Sequence, residues 1–148
     1  MRNVDTRQYV SMLRELVREG KEVSMLITGS SMSPFLLSHK DTICFKTPWR
    51  PLRRGDMVFY ERQSGQFVMH RIYKVRDEGL YIVGDAQHEI EGPVNPNQVF
   101  GLVTKANRRG KWIGPEDIWW KFYAHIWIRL VGLRPMIFQL YRFLTGRK

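Results

Sequence analysis

The strongest constraint on the fold is a succession of short β-branched and aromatic runs, each closed off by turn residues. Residues 23–28, 41–46, 57–62, 66–75, 80–83 and 99–106 all have this character. Turn signals such as Gln63-Ser64-Gly65-Gln66 and Asp77-Glu78-Gly79 stand between them. Short strands at this spacing pair with their neighbours, which predicts a mainly β domain: a partly closed antiparallel barrel or coiled sheet with flanking helices. Ahead of the strands, residues 5–18 read as an amphipathic helix. Asp5 or Thr6 can cap its start, and Tyr9, Val10, Leu13, Leu16 and Val17 share one face. Gly20 stops it.

With 148 residues the chain can build one domain with a real core, and is too short for two ordinary ones. The lone cysteine, Cys44, rules out an internal disulfide and reads as a small core residue within an alternating strand. The N-terminal segment is broken by Asp5, Arg7, Arg14 and Glu15, so it does not read as a secretory signal. No apolar run approaches the roughly 18 residues of a membrane span. The simplest location is therefore cytoplasmic, or peripheral on the cytoplasmic face of a membrane. A net charge of +10 predicts attraction to an anionic partner. Nucleic acid is not expected, because no recognition-helix or RNA-binding motif accompanies the charge.

The composition shifts after residue 114. Residues 115–148 are helical in pattern and rich in Trp, Phe and Tyr, punctuated by Lys121, Arg129, Arg134 and Arg142. Pro135 should break or kink this stretch. Aromatics interleaved with cations suit a membrane interface; the alternative is packing on the β domain. The expected division is a β domain with its N-terminal helix over 1–114 and an aromatic, basic tail over 115–148 that can touch an anionic membrane surface.

Three motifs carry chemistry. Ser31 sits in Gly29-Ser30-Ser31-Met32-Ser33-Pro34, His70 in an alternating strand, and Asp85 after Gly84 at a strand end. A serine hydroxyl needs a neighbouring base to become a nucleophile, and that base needs orienting, usually by a carboxylate. Gly29 permits the backbone angles of a sharp turn, and Pro34 restricts the chain just beyond it. Strand alternation sends Val68, His70 and Ile72 to one face and Met69, Arg71 and Tyr73 to the other. A lone histidine on an apolar face is more often a core residue than a base, and a serine before proline more often a plain turn.

The boxes taken together weigh against those plain readings. TGSSMSPFL, LRRGDMVFY, VMHRIYKV, YIVGDA and VFGLV, spread over 23–104, together resemble the type I signal peptidases and their LexA-like relatives. The histidine in the third box resembles the endoplasmic-reticulum and archaeal branch, in which histidine replaces the usual lysine base. The resemblance implies a β-rich peptidase core, Ser31 as nucleophile and His70 as general base. It also implies an orienting acid at Asp85 or, further on, at Glu91. The Ser31 backbone N–H, with that of Ser30 or a nearby hydroxyl, would form the oxyanion hole. Gly-Ser-Ser-Met stands where many signal peptidases have Ser-Gly-Ser-Met, and Ala86 stands where Asn usually follows the last Asp. The anchor helix that ordinary members carry before the serine is not seen. The implied activity is a serine endopeptidase acting on a leader, signal or precursor peptide, with no cofactor and no metal. The rival is a protein of the same fold that binds a partner or membrane surface without cutting.

Overall fold

The computed structural model describes residues 6–146. Helix α1 (Thr6–Arg18) precedes strands β1 (Val23–Leu26), β2 (Thr42–Lys46), β3 (Met57–Glu61), β4 (Phe67–Arg76) and β5 (Gly79–Val83). Strands β6 (Glu91–Val94), β7 (Val99–Arg108) and β8 (Lys111–Ile113) follow. Every pairing is antiparallel, in the order β1-β2-β7-β3-β4-β5-β6, with β8 on the side of β7. The path does not close, since β1 and β6 are its two ends.

The expected strands all form, within a few residues of their expected limits. Two more were not anticipated. Pro93 disguises β6, yet β6 is an edge strand, where a missing N–H costs no ladder bond. Strand β8 returns through Arg109 and Gly110, both with positive φ (50° and 88°), as a two-residue hairpin loop requires. Helix α1 buries Val10, Leu13 and Val17 against the sheet, whereas Tyr9 stays exposed. Capping by Asp5 or Thr6 lies outside what the structure describes.

Beyond β8 the chain forms a short helix α2 (Ile118–Lys121), whose start Asp117 caps through the N–H groups of Trp119 and Trp120. Irregular helical turns continue to Leu133, with non-helical angles at Leu130, and helix α3 (Arg134–Thr145) follows. Pro135 lies in the first turn of α3, where its missing N–H costs nothing; the break precedes it. Trp120, Tyr123, Ala124 and Trp127 belong to the main core, and Ile128 and Val131 close over Val83. Residue 115 is therefore not a packing boundary. The stretch through Arg134 is part of the core, Ile137 and Phe138 of α3 pack against it, and the opposite side of α3 stands out from it. No helix among the described residues is long and apolar enough to cross a membrane.

This packing predicts two classes of mutant. Ile128→Ala, at a fully buried site, should lower unfolding free energy by about 2–5 kcal/mol in urea titrations. Leu140→Ala, on the exposed side of α3, should stay within about 0.5 kcal/mol. A chain ending at residue 114 should lose its cooperative transition; a sharp transition would mean that the helical segment is dispensable.

Candidate active site

Ser31 is held in place by the burial of its neighbours. After β1, the Ile27 N–H donates to Asp41 O and the His39 N–H to Ile27 O, which pins the loop between them at its base. Gly29 has φ 81°, in the region where a side chain would be strained. Next in the chain, Met32, Phe35 and Leu36 are buried. The guanidiniums of Arg71 and Arg108 lie 5.2 and 4.7 Å from the Phe35 ring centroid. Arg108 and Arg109 also donate to the Phe35 carbonyl, and Arg109 to that of Pro34. The turn carrying Ser31 is thus gripped by apolar contact and by cationic donors.

His70 lies in β4, opposite Val58 of β3. Its Nε2 is 3.0 Å from Ser31 Oγ, and the residue is only 6% exposed. Burial, then the positive charge of Arg62, pushes its pKa down to about 4, with Glu91 and Asp85 opposing. The ring is therefore neutral at pH 7. With its proton on Nδ1, Nε2 accepts the hydrogen bond that Ser31 Oγ donates.

Neither expected acid hydrogen-bonds to His70. The Asp85 carboxylate takes both the Nε and Nη2 donors of Arg71 at 2.9 Å, with both side chains fully buried. The reason is the strand alternation that turns Arg71 away from His70. Glu91 accepts from Tyr60 Oη at 2.8 Å and from Arg62. Burial raises the Glu91 carboxyl, but the bonds from Arg62 and Tyr60 outweigh it and hold the pKa below the ordinary value. Tyr60 is pushed upward, by burial first and then by its bond to that carboxylate.

The residues on either side of Asp85 nonetheless bear on where Ser31 sits. The next N–H, of Ala86, donates to the Ser31 carbonyl at 2.8 Å. A Cβ on Gly84 would lie 2.7 Å from that same carbonyl oxygen, so no larger residue fits without moving the serine. Trp127 Nε1 donates to Asp85 O, and Arg134 Nη1 to the Gly84 and Gln87 carbonyls. Arg71, Arg134 and Trp127 are site-forming residues that the motifs did not single out. The adjacency of Arg71 to His70 in a strand was the one available signal for it.

A cleft of about 320 Å³ opens at Ser31. Met25 and Ile27 line one wall, Phe67 and Met69 the other, and Arg62 and Gln66 add polar groups. Among the described residues, strand β1 pairs only with β2, and the β5 ladder reaches β4 only from Arg71 onward. The facing edges of β1 and of residues 67–70 are therefore unpaired within the sheet.

The Arg71–Asp85 pair can be tested through stability. Asp85→Asn leaves a buried guanidinium without its countercharge and should cost about 3–5 kcal/mol. Combining Arg71→Met with Asp85→Leu should recover much of that loss in urea titrations. Strictly additive losses would show that the two side chains do not act as a pair.

No protein-family model and no curated protein matches this chain, so the functional reading rests on the residues and geometry of the site.

Proposed function

We propose that the protein is a serine endopeptidase of the signal-peptidase and LexA-like kind, with Ser31 as nucleophile and His70 as general base. The observation that carries this is the 3.0 Å contact between Ser31 Oγ and a buried His70 Nε2 at the mouth of the cleft. His70 takes the hydroxyl proton as Oγ attacks the scissile carbonyl carbon. The oxyanion formed is received by the backbone N–H groups of Ser30 and Ser31, which among the described residues donate to no protein acceptor. The imidazolium then gives its proton to the departing amine, leaving an acyl-serine. Water, deprotonated by the same ring, releases the acid product and restores the serine.

Asp85 is a positioning residue on this reading: it acts through Arg71, the Ala86 N–H and the Trp127 contact. Glu91 and Arg62 tune the field at His70. The substrate is a leader, signal or precursor peptide, met on the cytoplasmic side and laid in extended form beside β1. The two unpaired strand edges support that geometry, since an extended peptide can complete them with main-chain hydrogen bonds.

The test is labelling by a fluorophosphonate probe together with cleavage of a peptide library. The probe should modify Ser31. Ser31→Ala and His70→Ala should each abolish turnover, with losses in the double variant that do not add. Turnover at the parent rate in Ser31→Ala would overturn the assignment. A folded parent that neither labels nor cuts would favour the binding-only alternative.

The pH profile gives an independent check. A base with pKa about 4 is available above that value, so kcat/KM should rise between about pH 3 and 5 and stay level through neutrality. The unfolded chain binds this proton near the ordinary histidine value, well above the folded one, so stability should fall as the pH drops from about 6.5 to 4. A rate that begins to climb only near pH 9 would point to a lysine base.

A further inference from the structure

Helix α3 has two apolar sides, and only one of them is covered. Arg134, in its first turn, is fully buried and hydrogen-bonded to the carbonyls of Gly84, Gln87 and Trp127. Ile137 and Phe138 pack on the core, and Phe138 lies 5.8 Å from Trp127. Leu133, Met136, Leu140, Phe143 and Leu144 are instead between 50% and 80% exposed. Their spacing places them in one stripe along the helix. So large a row of bare apolar side chains on a firmly anchored helix marks a docking surface.

Charge identifies the occupant. Residues 118–148 contain no aspartate or glutamate, while Lys121, Arg129 and Arg142 are exposed, in a chain of net charge +10. Trp119 and Ile126, on the preceding turns, are also more than half exposed. An apolar stripe with a cationic, acid-free surround matches a surface that offers hydrocarbon beneath a layer of negative charge. We propose that α3 seats the protein on an anionic lipid bilayer, its exposed stripe sinking to the acyl boundary while the neighbouring cations meet the headgroups.

The test is flotation of the full chain with vesicles of phosphatidylcholine alone or of equal parts phosphatidylcholine and phosphatidylglycerol. Anionic vesicles should carry the protein upward and neutral ones should carry much less. Added salt should weaken binding without abolishing it, because only the charge contribution is screened. Leu140→Glu with Phe143→Glu should reduce partitioning by about tenfold or more. Its circular dichroism and unfolding midpoint should stay those of the parent, since both side chains are exposed. Arg129→Gln with Arg142→Gln should lower binding to anionic vesicles by about fivefold per charge. Failure of the parent to float, or undiminished flotation of the Leu140/Phe143 variant, would overturn the proposal. So would a concentration-dependent dimer, without vesicle binding, that this variant dissolves; the stripe would then join two copies of the chain. None of these readouts depends on peptidase activity.

Discussion

The arrangement around Ser31 depends on two opposite charges that are buried together. Arg71 and Asp85 are both fully inaccessible, and taking each charge out of water costs about several kcal/mol. A well-packed apolar pair would be cheaper, but it could not direct three donors. Two of the Arg71 donors go to Asp85 and a third to the Gly55 carbonyl. At Gly55 a Cβ would lie 2.4 Å from the Ala124 carbonyl oxygen, so the C-terminal helical segment packs closely here too. Both Gly-Asp motifs, although far apart in the chain, thus serve one guanidinium. The Asp56 carboxylate itself stays local, bound to Arg50 and to the Arg53 N–H.

Adjacent residues on β4 meet opposite surroundings. Arg71 is buried with a carboxylate in bidentate contact. His70 is buried on the other face with a serine hydroxyl as its partner, and the nearest strong field includes the Arg62 cation. For the histidine, burial and that cation act in the same direction, so the neutral ring is favoured by a wide margin. A strand is well suited to hold such a contrast. Its alternation separates two side chains that are consecutive in sequence into two different dielectric surroundings.

Strand identity was legible in the sequence because β-branched alternation is a local property, and the runs around Phe45, Phe59 and Ile72 declared themselves. Ser31 and His70 were legible through their motifs, and the strand alternation around His70 is realised. The partner of Asp85 was not, because motif order carries no information about which acid faces which base. Only the three-dimensional path puts Arg71, rather than His70, in front of it. The placement of the helical segment was not legible for a related reason. Its aromatics look the same in sequence whether they meet lipid or core, yet Trp127 and Ile128 are buried while Phe143 is bare. Arg134 is the extreme case, a cation that solvates itself with carbonyl oxygens from a distant loop.

The early end of β5 has a consequence for recognition. Past Val83 the chain leaves the sheet, so residues 67–70 keep one row of main-chain donors and acceptors without strand partners. Only a segment whose own peptide groups are free can answer that row. A helix or a folded loop has already satisfied them internally, and would have to melt before it could pair. On the peptidase proposal, a substrate at this edge is therefore sorted by conformation before side-chain identity enters, and its unstructured stretches compete best. Discrimination of this kind would draw on the folding stability of the substrate, and a precursor would be shielded by completing its own fold.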